Sequence, residues 1–182
     1  RRQRQMCIRD RLRSVHQSCP ATKFILSGFS QGAVIAGDVA DEIGGGQGVV
    51  PAESIAGVAL IADGRRQNGV GQNPGRKVGG VGAEIALQPV SGLVQPIVPG
   101  ASMRGARQNG FGSLADRTFQ ICAPNDSVCD APPNVTNALE RAQGLIAANG
   151  VHAQYASNSG VIDGTTANQW VVGWARQLID AA

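Results

Sequence analysis

The chain has 182 residues, a hydrophobic fraction of 42% and a formal net charge of +3. That is enough length and apolar content for one globular core, and too mixed a composition for collagen, a coiled coil or a disordered tract. The charge is not spread: "RRQRQMCIRDRLR" at the front holds six arginines and one aspartate, so the remainder is about −2 and lacks the basic face of a nucleic-acid-binding domain. No run of 18 or more apolar residues offers a membrane-spanning helix.

In chain order, "RRQRQMCIRDR" lacks the apolar core of a signal peptide and resembles a translated sequencing-adapter scar more than a protein segment. Residues 1–13 are therefore set apart from a domain expected over 14–182; the rival reading is a basic surface helix. "LRSVHQSCP" reads as a helix leading to "KFILSGFS", a short β-type run. "QGAVIAGDVADEIGGG" follows, with Ile35, Val39 and Ile43 on one helical face before three glycines stop it. "SIAGVALIAD" and "RTFQICAP" are two further buried-strand candidates. Between them, residues 64–114 carry twelve glycines and four prolines, an irregular insertion that includes the apolar piece "SGLVQPIVPGASM".

"APPNVTNALERAQGLIAANG" predicts a helix with an apolar face of Val135, Leu139, Ala142 and Ile146, ending at Gly150 and leaving His152 in a loop. In "TTANQWVVGWARQLIDAA" the stripe Trp170, Trp174, Leu178 predicts a helix packed on the core. Strands alternating with helices indicate an α/β layer fold with a mostly parallel sheet. Of four cysteines, Cys122 and Cys129 enclose "APNDSV", a loop that a disulfide could close, while zinc-type CxxC pairs are absent. Paired cysteines favour an oxidising, exported setting. Cys19 has no partner outside the segment set apart, which contains Cys7.

The chemistry centres on "GFSQG", where Ser30 lies between a strand and a helix. A serine hydroxyl needs a base to take its proton, a group to orient that base and donors for the oxyanion. A sharp strand-to-helix turn crowds the backbone, so Gly28 and Gly32 are expected to relieve clashes, and the Gln31 N–H points where negative charge develops. The chain has two histidines. His16 approaches the strand from the wrong end, whereas His152 lies downstream as the order serine, acid, histidine requires. Asp126, inside the cysteine loop, is the favoured acid, with Asp63 and Asp130 as rivals. "GQNPGRKVGG" lacks the lysine-serine ending of a phosphate loop, and "NVT" at Asn134 is a triplet frequent by chance. No metal or cofactor is expected.

"CPATKFILSGFSQGA", "CAPNDSVC" and "VHAQY" together resemble the cutinase family of serine esterases. The resemblance covers residues from about 14 to 182 and implies a three-layer α/β-hydrolase fold. It implies Ser30 as nucleophile, Asp126 as acid, His152 as base, the Gln31 amide as an oxyanion donor, and Cys122–Cys129 as a disulfide. The Gly-rich insertion is similar to that of extended actinobacterial cutinase-like proteins. Family members begin with further strands and a loop that supplies a second oxyanion donor and a partner for the cysteine at position 19, so the chain resembles the C-terminal part of a longer protein. The expected function is hydrolysis of lipid or polyester esters through an acyl-enzyme, in a secreted or envelope setting. The alternative is a non-catalytic surface domain that binds lipid or protein. The apolar piece with Arg104 and Arg107 is a candidate flap for acyl chains and anionic headgroups.

Overall fold

The computed structural model of the chain describes residues 1–98, 102–147 and 150–182. Helix α1, Arg2–Ser18, leads into strand β1, Phe24–Phe29, and helix α2, Gln31–Gly44. Strand β2 spans Ile55–Ile61, and the short helices α3 (Ala83–Ala86) and α4 (Ser91–Val94) lie within the Gly-rich stretch. Strand β3, Thr118–Ile121, then precedes helices α5, Ala138–Ala147, and α6, Ala167–Asp180.

The three strands form one parallel sheet in the order β1-β2-β3. Side chains of β2 alternate between its faces. Leu60 meets α2, where a Cβ on Gly37 would lie 3.0 Å from its Cδ1; Gly57 meets α6, where a Cβ would lie 2.5 Å from Trp174 and 2.9 Å from Leu178. The Trp170, Trp174, Leu178 stripe thus packs on the sheet, and β2 needs a glycine beneath it. On the other face Ile35, Val39 and Ile43 of α2 are buried, as their spacing predicts. Helix α6 starts with a capping box, Thr166 and Gln169 each bonding the other's backbone N–H.

Segment 1–13, distinguished by its composition, lies in the first turns of α1 and touches the domain through side chains. Gln5 Nε2 donates to Asp38 at 2.8 Å, Arg9 Nε donates to Glu42 at 2.9 Å, and Leu12 is buried. The Gly-rich stretch does not add a strand to the sheet but covers the outer edge of β3: the Gln72 N–H donates to Thr118 O at 2.7 Å and the Gln120 N–H donates to Gln72 O at 2.8 Å. Gly71 permits this approach, with φ +73° and a would-be Cβ 2.8 Å from Thr118 O. Edge coverage of this kind blunts pairing with other chains. Strand β1, by contrast, pairs on one side only among the described residues.

The apolar face expected on α5 is corrected by the structure. Ala142 is buried, but Val135, Leu139 and Ile146 are exposed. The helix rests on its Ala142 and Leu145 side against a small separate core of Leu87, Val94 and Met103. Part of the expected flap is in that core; its residues 99–101 lie outside the described residues, as do 148–149 just before Gly150, where the helix is expected to end.

Candidate active site

Ser30 sits at the junction of β1 and α2 with φ 54° and ψ −120°, a conformation costly for a residue with a Cβ. Two bonds hold it there: its N–H donates to Ile61 O at 2.9 Å, extending the sheet ladder, and its carbonyl accepts from Val34 N at 3.1 Å, opening the helix. Gly28 makes the turn possible, since a Cβ there would stand 2.3 Å from Gly32 O and 2.6 Å from Ala33 N. Gly32 needs no such explanation: a Cβ would meet nothing within 4 Å, because its position faces open space. The expectation of crowding at both glycines therefore holds at Gly28 alone. Gln31 begins α2, and its N–H is among the four that a helix leaves without an internal acceptor.

His152 lies in a 3-10 turn, Gly150–Ala153, and is buried. Its Nε2 is 3.0 Å from Ser30 Oγ, and its Nδ1 is 3.1 and 3.0 Å from Oδ1 and Oδ2 of Asp126. An ionised carboxylate only accepts, so in the neutral ring the proton belongs on Nδ1 and Nε2 is free to accept from the serine. The sequence-predicted residues Ser30, His152 and Asp126 are thus brought into one hydrogen-bonded run.

Asp126 is 1% exposed and its carboxylate is fully partnered. Besides His152, Oδ1 accepts from the Val128 N–H at 2.9 Å and Oδ2 accepts from the Tyr155 hydroxyl at 2.7 Å. Burial alone would raise its pKa, but the hydrogen bonds from His152, Tyr155 and Val128 outweigh it and hold the carboxyl below the usual carboxylate range. Burial, reinforced by the Asp126 charge, pushes the Tyr155 hydroxyl far above the usual tyrosine range, so it stays a donor. Tyr155 also accepts from the Ala123 N–H at 2.9 Å, tying the acid loop to the end of β3. Its signal in the sequence was the tyrosine three residues after His152 in "VHAQY", which spacing alone gives no role.

The loop that carries Asp126 is closed by the Cys122–Cys129 disulfide, a separation of 7 residues. Closure of so short a loop stabilises the fold by about 2.5 kcal/mol in the chain-entropy account. Asn125, one residue before Asp126, has φ 65°, a second positive-φ position beside the candidate site. Cys7 and Cys19 are free and exposed.

The rival acids are engaged elsewhere. Asp130 accepts from the Asn125 N–H at 2.9 Å and the Gly80 N–H at 2.7 Å, so it braces the acid loop. Asp63 pairs with Arg107, whose Nη1 and Nη2 donate at 2.6 and 3.1 Å. His16 lies near Ser54, at the opposite end of the strands from Ser30. Arg104 and Arg107, expected to face headgroups, turn inward to Asp38 at 2.6 and 3.1 Å because buried carboxylates outcompete solvent for them.

Beside Ser30 and Gln31 is a cavity of about 160 Å³ walled by Val34, Val98, Met103, Val128 and Leu145, with Arg1 and Glu84 also lining it. Two larger hollows, about 480 and 490 Å³, contain none of Ser30, His152 or Asp126. The candidate site is therefore marked by the hydrogen-bonded run and not by cavity size.

Comparison with known proteins places the chain in a family. A carboxylesterase Culp6 homolog of Corynebacterium glutamicum is 64% identical over 173 residues, which is 95% of this chain and 56% of the relative. The chain thus spans little more than half the length of that relative. A solved structure, described as a novel cutinase-like protein from Cryptococcus sp., matches with a TM-score of 0.60 at 24% identity, covering 96% of this chain and 69% of that one. That likeness shows the α/β-hydrolase type of fold. The Cutinase family profile matches residues 3–173, nearly the whole chain, and the chain is a member of the Cutinase family.

Proposed function

We propose that the protein to which this chain belongs hydrolyses carboxylic esters at Ser30. The observation that carries the reading is the continuous bonding from Ser30 Oγ through the His152 ring to the Asp126 carboxylate, at 3.0 Å on each side of the ring. Ser30 Oγ attacks the ester carbonyl carbon while its proton passes to His152 Nε2, and Asp126 stabilises the imidazolium. The tetrahedral oxyanion takes the Gln31 N–H. His152 then protonates the leaving alcohol oxygen as the C–O bond breaks, and an acyl-enzyme remains. Water, deprotonated by His152, attacks the acyl carbon, and His152 returns that proton to Ser30 Oγ as the acyl–oxygen bond breaks and the acid leaves.

The apolar walls of the cavity beside Ser30 support an acyl chain as the group bound there. Ester lipids or polyesters fit those walls and the exposed Leu93, Leu139 and Ile146 on the neighbouring α4 and α5. The disulfide supports an exported setting.

The test is a fluorophosphonate probe and p-nitrophenyl butyrate on the full-length protein. Covalent labelling and turnover in the wild type, with loss of labelling and a fall of about 10⁶-fold in kcat in Ser30→Ala, are the expected results. A correctly folded wild type that neither labels nor turns over ester supports the alternative, a binding domain on a hydrolase scaffold.

A further inference from the structure

Phe29, between Gly28 and Ser30, is 46% exposed, and it is the one aromatic among the exposed large apolar side chains of the described residues. Its open surface is not idle. The ring centroid lies 5.0 Å from that of the His152 imidazole with 26° between the planes, and 5.7 Å from that of Tyr155, edge-on. Asp126 and Ser30 grip the imidazole through its two nitrogens, and such bonds lie in the ring plane. They fix where the ring points but resist tilting out of that plane weakly. Tyr155 meets the imidazole at 85°, with 6.3 Å between centroids, so it supplies an edge rather than a cover. Phe29 supplies the cover.

We propose that Phe29 is a positioning residue for His152: its stacked face keeps the imidazole in the plane joining Ser30 to Asp126 and stabilises the imidazolium that forms when the serine proton moves. The π face of an aromatic ring carries negative charge density, so the attraction grows as the imidazole becomes a cation. The gain is then larger in the transition state than in the resting site, and it is read in kcat rather than KM. Two other roles give different readings. A packing residue acts through volume, which leucine replaces; a substrate platform acts through KM.

The proposal rests on the ester-hydrolase reading, and the test separates the two. In full-length Phe29→Leu, kcat on p-nitrophenyl butyrate is expected to fall about five- to tenfold with KM within about twofold. Phe29→Tyr, which keeps the π face, is expected to hold most of the wild-type kcat. In the same variants the ring protons of His152 are followed by NMR, assigned by their loss in a His152→Gln control. Loss of the stacked ring moves the His152 resonances downfield in Phe29→Leu and leaves them in place in Phe29→Tyr. The proposal is overturned by unchanged kcat in Phe29→Leu, by a rise in KM alone, by failure of the Tyr variant to retain kcat, or by unmoved resonances. A wild type without turnover or probe labelling overturns the hydrolase reading, and the proposal with it.

Discussion

Asp126 and Asp38 are both buried carboxylates held below their usual range, and they are held by opposite kinds of neighbour. Around Asp126 the donors are an imidazole, a phenol and a backbone amide, and the imidazole leads on to a half-buried serine. Around Asp38, burial is outweighed by Arg107, Arg65 and Arg104, with Gln5 as a fourth donor. Arginine does not give up its proton in a protein, so the Asp38 cluster can hold segments together but cannot relay charge. Imidazole changes charge near neutral pH, and that property makes the Asp126 cluster usable for chemistry. Burial and a depressed pKa are common to both regions; the titratable partner separates them.

The Asp38 cluster has its own demands on the sequence. Arg107 reaches Asp38, Asp63 and the carbonyl of Val34, clamping the Gly-rich stretch to α2 and to the end of β2. Gly37 makes room for it: a Cβ there would lie 2.4 Å from Arg107 Nη2. The clamp grips α2 one turn after Ser30, so it supports the turn that carries Ser30 while its own hydrogen bonds go to Asp38, Asp63 and Val34.

The contrast can be broken most sharply at Asp126. Replacing it with Asn keeps the shape but removes the charge that orients His152, and kcat is expected to fall about 10⁴-fold. Steady-state kinetics beside a thermal melt check this, with the melting temperature changing by no more than a few degrees. Arg107→Met should do the reverse. It leaves Asp63 without its cation and Asp38 with one fewer, so stability is expected to drop by about 3 to 5 kcal/mol in denaturant titration. The folded fraction should still accept a fluorophosphonate at Ser30. Stability lost with labelling kept, against labelling lost with stability kept, would establish the division of labour.

The smallest effect is on acid stability. Both carboxyls have folded-state pKa values below the unfolded value of about 3.9, so the stabilisation they contribute is present above that pH and is lost as pH falls through the folded values. Thermal melts of the wild type are expected to be flat down to about pH 5 and to decline below about pH 4. In Arg107→Met the Asp38 carboxyl is held less strongly, so its share of the decline should be smaller and should finish at a higher pH.

The residues that meet in the candidate site were legible from local pattern. "GFSQG" after an apolar run specified the elbow, and the placement of His152 after a helix and of Asp126 in a cysteine-closed loop agreed with the chain order of such sites. The errors were of a different kind. Gly32 looked as necessary as Gly28 because a motif does not say which way each Cβ points. Val135, Leu139 and Ile146 looked like a core face, yet α5 packs on Ala142 and Leu145 instead. Arg104 and Arg107 looked like surface charges because nothing nearby in sequence reveals Asp38. Phe29 and Tyr155 carried no assignable role, since stacking and a buried phenol's partner are properties of packing.

The amino-acid sequence by itself determined the parallel strands, the helix after Ser30 and the candidate chemical groups, because hydrophobic spacing, glycine at the turn and residue type act within a few positions. Only the tertiary structure decided which carboxylate meets His152 and which meets arginine. Those pairings join residues 26, 44 and 69 positions apart, and no local preference reaches across such distances. The sheet brings the ends of its strands together, and competition among buried charges for the few available partners then settles which of them meets a titratable group.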